Sequence, residues 1–575
     1  MMFLHRIKRM QEKGLPYVIL AFAVFVYVLI LLQLNRGTSF DEGYYLQGYL
    51  AEQPLHSGIS QYHYIVRALF PFFPEDNVLF LRYLNVVLTL SSLLLLACSS
   101  YSWITGYLKL SINRTLYFSL IFLSGALGFS FASPVLYYDD IQVILYFLVC
   151  SILFLHPRMN RFMQSLSHVL AGFLFVFALC NYLSSGILLI VIYFLWSSIY
   201  TCKVKQIFFN ALYVLAGLLG GLLIYHFFVH DVQVTYENIK GSFIIAQDGI
   251  TGHDNKSLLA GMLTYFIRII SLFLFFAALG VLLIIMQDRI KNNKVKIGIN
   301  IFIVLMFCVC LTQRKVFTFF YNDIFIIPIA FYSSVFIAGW KKHRLFFFNS
   351  DKGRVLIVLG LLMLMPVAGM FGTNQSLSAK AIMLLPFWLI AFFVLLKLFF
   401  VKKLYVAMVF MWGLLMFATY LHLGYFSRYH YYYSPQRSDV ALENTFRLKN
   451  IRVSKQQKLF IERVNALLNA HGFQQGDKML AFEVDLITVY AVGGIIPNDL
   501  FYGTYNMMDY YKSPPLQKIP YIMIYEGREK EFYDYLKKSD WNFPEGYVKY
   551  NLGKYAENMP ETMESVLYIA REKTE

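Results

Sequence analysis

Runs of about 20 apolar residues, separated by short polar or basic breaks, recur from Tyr17 to Leu421. A run of that length is what a helix needs to cross the hydrocarbon core of a bilayer. Segments near 17–34, 78–98, 115–132, 141–155, 168–180, 186–200, 206–229, 258–286, 297–311, 323–340, 355–371, 381–400 and 404–422 predict about thirteen membrane helices. The break from Asn181 to Ser185 is the shortest, so the fifth and sixth segments read either as two spans or as one kinked helix. Basic residues favour two. With thirteen spans and an inside N-terminus, the clusters Arg289, Lys291, Lys294 and Lys296, and Lys341, Lys342 and Arg344, fall on the inside, where loops carry excess Lys and Arg.

Two loops on the opposite side are long, residues 35–77 and 230–257. In the first, YLQGYLAEQ and ISQYHYIVRALF have helix-like apolar spacing, with His63 and Arg67 on another face; this predicts short helices lying along the membrane surface. Polarity becomes ordinary from residue 423 onward. There SKQQKLFIERVNALLNA and KEFYDYLKKS read as helices, and KMLAFEV, YIMIY and SVLYIA as strands. The expected organisation is therefore a helical membrane domain over 1–422, including the outer loop 35–77, and an outer α/β domain over 423–575.

Composition agrees with that reading. Of 575 residues 58% are hydrophobic and 15% charged, and the mean hydropathy is +0.55. A soluble chain could not hide so much apolar surface, and long continuous runs exclude a β-barrel. Lys and Arg outnumber Asp and Glu by 50 to 34. The basic residues sit at segment ends and form no stripe, so no nucleic-acid partner is expected. The cysteines lie in or beside apolar segments and none follows Cys310, which argues against a disulfide framework or zinc site. The first apolar stretch is too long for a signal h-region and lacks a small-x-small cleavage site, so it reads as an uncleaved span.

Acidic residues are almost confined to segment ends, and two pairs fall at one depth on the outer side. Asp41 and Glu42 lie in FDEGYYLQGYL just past the first span. Asp139 and Asp140 lie in SPVLYYDDIQVILYF at the entry of the fourth. A solvated loop pair explains the first, and a helix N-cap after Pro134 explains the second; their shared depth favours a site. Of the few outer basic residues, Arg314 and Lys315 in LTQRKVFTFFYNDIFIIP and Arg67 in the first loop are candidate phosphate ligands, while Arg268 reads as a snorkelling cation. His226 and His230 share a helix face and Asp231 follows. That spacing is compatible with a metal, but a lone interfacial pair is usually not a site, and no metal ligand is assigned. The run Tyr425 to Tyr433 reads as an interfacial aromatic belt.

About thirteen spans, a long first outer loop opening with the DE-G-Y-Y-L pattern, a second acid at the outer end of the third-to-fourth span connection and a C-terminal outer domain together resemble the GT-C glycosyltransferases. The branch most resembled is that of the bacterial relatives of protein O-mannosyltransferases and the lipid A aminoarabinose transferase. The resemblance covers the membrane part, strongly in architecture and weakly in sequence. It implies a polyprenyl-phosphate sugar donor, a lipid, glycan or protein acceptor on the outer face, and inversion at the anomeric carbon. It maps the loop acid onto Asp41 with Glu42 beside it, the second acid onto Asp139 or Asp140, and a phosphate-binding cation onto Arg314 and Lys315. It also implies a bacterial inner membrane, a cytoplasmic N-terminus, and a periplasmic active site and C-terminal domain. No cofactor is assigned, and a divalent metal is compatible. The chain departs from the family pattern at AEQPLHSG, where G-x-P-Y is usual, and at NYLSSG, where a Lys is usual.

The chemistry is consistent with that expectation. A glycosidase needs two carboxylates because a sugar alkoxide leaves poorly. A lipid phosphate leaves readily once its charge is matched, so one base for the acceptor hydroxyl and a cationic clamp suffice. Two other classes compete. A transporter or flippase of lipid-linked saccharides would carry ionisable groups near mid-membrane and internal repeats, and an O-antigen ligase or polymerase would hold its large outer segment between spans.

Overall fold

The computed structural model describes residues 2–38, 40–50, 60–71, 77–131, 134–201, 204–247, 255–290, 350–371, 377–399, 402–426, 438–443, 445–481, 485–496, 519–525, 541–556 and 564–571, with a few scattered positions between 292 and 334. Its helices are α1 (Met2–Gln33), α2 (Phe40–Gly48), α3 (Tyr62–Leu69), α4 (Val78–Ser102), α5 (Arg114–Ala126), α6 (Gly128–Phe131), α7 (Tyr138–Leu155), α8 (Arg161–Asn181), α9 (Leu183–Tyr200), α10 (Val204–Phe228), α11 (Val232–Gln247) and α12 (Asn255–Arg289). There follow α13 (Ser350–Met370), α14 (Leu377–Met383), α15 (Leu385–Phe399) and α16 (Lys402–Tyr420). The C-terminal region holds β1 (Val440–Ala441), β2 (Arg452–Val453), α17 (Lys455–Ala470), β3 (Met479–Ala481), α18 (Asp485–Ala491), β4 (Tyr521–Tyr525), β5 (Tyr547–Lys554) and β6 (Glu564–Ala570).

Among the described residues seven helices are long and apolar enough to cross a membrane: α1, α4, α7, α8, α9, α10 and α13. The protein is membrane-embedded. On α1 the buried residues Leu15, Ile19, Ala23, Val26 and Ile30 recur every three or four positions, while Tyr17, Leu20, Val24, Val28 and Leu31 stay exposed. An apolar stripe facing the bundle and an equally apolar outer face is what a helix shows when its solvent is lipid.

The short break at Asn181 to Ser185 separates two helices. Tyr182 between α8 and α9 is extended, at φ −154° and ψ 97°, and a Cβ on Gly186 would lie 3.0 Å from the backbone of Ala178. Residues eight apart in a continuous helix would be separated by about 12 Å, so the chain reverses here. Close approach also joins α8 to α10, where a Cβ on Gly172 would meet the Val214 carbonyl at 2.1 Å and one on Gly217 the Val169 carbonyl at 2.0 Å. Small residues allow such contact where lipid supplies no hydrophobic drive between helices.

Of the long loops, the first contains α2 and α3 and the second contains α11. The face of α3 expected to be polar is partly covered. Its residue His63 is wholly buried, because α3 packs over the end of α8, with the Gln61 amide donating to the Cys180 carbonyl (3.2 Å).

In the C-terminal region the expected KMLAFEV, YIMIY and SVLYIA strands are β3, β4 and β6; the KEFYDYLKKS helix lies outside the described residues. The sheet runs β3-β4-β6-β5, with β3 and β4 parallel and the other pairs antiparallel. Ser454 and Gln457 form a reciprocal capping box that starts α17. The region shares one continuous apolar core with the membrane helices. Contact is made through α2, where a Cβ on Gly43 would meet the Ile487 amide nitrogen of α18 at 2.2 Å. The Gln47 side chain donates to the Gly494 carbonyl (3.1 Å), and the Arg452 carbonyl accepts from the Gly37 amide (2.7 Å).

Candidate functional site

Helix α2 carries the first acidic pair and is held from three directions. Glu42 is wholly buried and accepts from Arg82 of α4 through both carboxylate oxygens, at 2.9 Å from Nε and 2.8 Å from Nη2. The same guanidinium donates to the Leu34 carbonyl (2.6 Å) and the Gly37 carbonyl (2.7 Å), so it ties the end of α1 to the start of α2. A buried ion pair offsets its desolvation cost only with good geometry and further hydrogen bonds, and Arg82 has both. On the other sides α2 leans on α18 at Gly43 and on the start of α7 at Tyr45, whose ring stacks on Tyr137 at 4.6 Å. The backbone of Asp41 belongs to this helix; its side chain lies outside the described residues.

The second pair opens α7. Asp140 accepts from Asn85 Nδ2 of α4 (2.8 Å) and from the Tyr137 amide (3.3 Å), the latter closing the first turn of α7. Asp139 is paired with Lys380 of α14, and both are buried. Lys380 also donates to Gln142 Oε1 (3.3 Å), and Gln142 in turn donates to Ser185 of α9, whose hydroxyl lies 2.8 Å from the Tyr146 hydroxyl. Arg82 and Asn85 are three apart on α4, hence neighbours on one face. The two acidic motifs therefore converge on a single turn of that helix.

Tyrosines fill the space around them. Tyr45, Tyr49, Tyr62, Tyr137 and Tyr138 are linked through edge-to-face and stacked contacts with centroids 4.6–6.3 Å apart. The Tyr49 hydroxyl donates to the Leu136 carbonyl (2.8 Å) and that of Tyr62 to the Tyr45 carbonyl (3.2 Å). Such rings are apolar faces with a polar tip, suited to a site that is neither wholly dry nor wholly wet.

Arg67, at the end of α3, is half-buried and its Nη1 lies 3.4 Å from the Leu50 carbonyl. Arg314 and Lys315 lie outside the described residues, as do most of Tyr425 to Tyr433. His226 Nδ1 lies 3.5 Å from Asp231, while His230 Nδ1 contacts the Thr235 hydroxyl at 3.0 Å and its ring stacks on Tyr64. Both histidines thus serve the turn between α10 and α11. Among the described residues no three His, Cys, Asp or Glu side chains gather as metal ligands.

Sequence reasoning missed Arg82, Asn85, Gln142 and Lys380. Lys380 had a signal: it is a single cation just ahead of the run AIMLLPFWLIAFF, and such a residue at a helix end looks like an ordinary interfacial anchor. Arg82, one turn into α4 in the run NVLFLRYLN, hides the same way. Comparison with protein-family models, with curated proteins and with solved structures finds no match to this chain.

Proposed function

We propose that this chain is an integral-membrane glycosyltransferase of the GT-C kind. It has thirteen spans, lies in a bacterial inner membrane with its N-terminus in the cytoplasm, and transfers a sugar with inversion from a polyprenyl-phosphate donor to a lipid, glycan or protein acceptor at the periplasmic face, where the C-terminal region lies. One observation carries the reading: two acidic motifs nearly a hundred residues apart meet on one turn of α4, inside a tyrosine cluster at one end of an apolar bundle.

Asp41 is the general base in this reading, and its neighbours position it. Glu42 is committed to Arg82 and Asp139 to Lys380, so neither is available as a base; they set the backbone of α2 and of the start of α7. The acceptor hydroxyl loses its proton to Asp41 as its oxygen attacks the anomeric carbon, and the lipid phosphate leaves with the bonding pair. Arg67, Arg314 and Lys315 match the charge of that leaving group.

Transfer of radiolabelled sugar from total polyprenyl-linked lipids to an acceptor fraction tests the activity. Asp41→Asn lowers turnover by about 100-fold or more with donor binding nearly intact; near wild-type turnover overturns the assignment of the base. Cysteines placed at the exposed Lys449 and Asn469 react with an impermeant thiol reagent in intact spheroplasts if the C-terminal region is periplasmic. Labelling only after lysis overturns the topology.

A further inference from the structure

Helix α3 holds a buried group that nothing in the tyrosine cluster satisfies. His63 has no exposed surface, and among the described residues neither ring nitrogen has a hydrogen-bond partner. A buried imidazole left this way costs stability, so the position needs a reason. Its surroundings are basic. Arg67 follows one turn later on the same face of α3, and His230 approaches from the α10–α11 turn. The Tyr64 ring lies between the two imidazoles, 4.1 Å from His63 and 3.8 Å from His230 between centroids. Burial first, then Arg67 and His230, push His63 down to about 3, so at neutral pH its ring is neutral and has one N–H to donate. Tyr62, the preceding residue, belongs to the tyrosine cluster, which puts this basic group beside the acidic one.

We propose that His63, Arg67 and His230 form an oxyanion subsite for a phosphate group, with the His63 N–H as its innermost donor. A guanidinium presents a planar fork suited to two phosphate oxygens, and the imidazole supplies a donor from a third direction. Tyr64, whose ring packs against both imidazoles, is itself half-buried. The subsite deepens the transferase reading, since it holds the charge of the departing lipid phosphate away from the carboxylates. It names two residues, His63 and His230, that neither acidic motif involves.

The test is equilibrium binding of a radiolabelled polyprenyl monophosphate to the purified full-length protein in detergent, with the uncharged polyprenol as tail control and inorganic phosphate as competitor. His63→Phe and Arg67→Gln are each expected to weaken binding of the monophosphate by about tenfold or more, the worth of one charge-assisted hydrogen bond, and to leave polyprenol binding unchanged. His63→Gln keeps an N–H donor and is expected to lose less; it replaces His63→Phe if that variant does not fold. Inorganic phosphate binding alone as tightly as the lipid would keep the subsite but assign it to free phosphate. Wild-type affinity for the monophosphate in both folded variants overturns the proposal. Because binding is read without sugar transfer, loss of the subsite and loss of the transferase reading are separate results: persistent transfer with unchanged binding removes only the subsite.

Discussion

The two ends of the membrane bundle bury polar groups in different ways. At the end where α2 lies, the buried groups are charged, and each pair joins separate elements: Glu42 of α2 with Arg82 of α4, and Asp139 of α7 with Lys380 of α14. At the far end of α7, about 27 Å along an 18-residue helix, they are neutral partners. His156 and His168 meet through Nε2 at 3.2 Å, His168 Nδ1 lies 2.6 Å from the Tyr193 hydroxyl, and Trp103 donates to the Tyr200 hydroxyl at 2.9 Å. Neutral hydrogen bonds join helices at modest desolvation cost, whereas buried charges incur much more for the same mechanical purpose. Stability alone would favour the second solution at both ends. That contrast is what singles out the charged end in the transferase reading proposed above, where the cations Arg82 and Lys380 hold the acids in place.

Breaking one partner of each arrangement tests that contrast, and the largest effect is expected at Arg82. Arg82→Met strands the Glu42 carboxylate in the interior and loses two carbonyl contacts, so thermal unfolding followed by tryptophan fluorescence in detergent should register a loss of about 3–5 kcal/mol. Adding Glu42→Gln should recover a substantial part, because the double variant leaves no unpaired charge. A double variant no more stable than Arg82→Met would show that the carbonyl contacts, and not the charge pair, carry the effect.

Lys380→Met should cost less, about 1.5–3 kcal/mol, because Asp139 keeps the favourable field of the α7 N-terminus. Asp139→Asn in the same chain should restore stability while transfer stays low. Restored transfer would make the pair purely structural.

Gly43→Ala tests the seam between α2 and the C-terminal region. The added Cβ has no room beside Ile487, so α2 must shift. A cost of about 1–3 kcal/mol is expected for overpacking, with turnover falling further than stability. Equal stability and turnover to wild type would mean that α18 yields and α2 does not depend on it.

The far end provides the control. His168→Phe should lower stability by about 1 kcal/mol as the Tyr193 hydroxyl loses a partner, with turnover in the transfer assay unaltered; a large fall in turnover would end the division between the two ends.

The smallest effect expected is one of pH. His63 stays neutral in the folded protein down to about pH 3, while in the unfolded chain it takes up a proton near its ordinary value of about 6.5. Below that value the unfolded state binds more protons, so this group's contribution to stability falls as pH drops from about 6.5 toward 3. Arg67 and His230 face it and reinforce the neutral form. His63→Gln should flatten the stability profile over that window, and an unchanged slope would place the acid sensitivity elsewhere.

Much of this was legible in the chain itself. Apolar runs specify where helices form and that their outer faces meet lipid, since both follow from residues close together in sequence. Ser454 and Gln457 announce the start of α17 for the same local reason, and the acidic pairs could be placed at one depth by counting from the ends of apolar runs. The sequence also separates α8 from α9, through the polar break Asn181 to Ser185 and the balance of basic residues. Only the tertiary structure decided which groups meet. Lys380 stands 241 positions from Asp139 and Arg82 40 from Glu42, and nothing local distinguishes either cation from one that snorkels to the lipid surface. The fusion of the C-terminal region with α2 depends on Gly43 having no side chain opposite a backbone that lies far along the chain. His63 shows the limit most clearly: its helical spacing suggested a polar face, and the packing of α3 over α8 buried it. Periodicity records how often a chain turns, while burial of charge depends on what each turn finds on the other side.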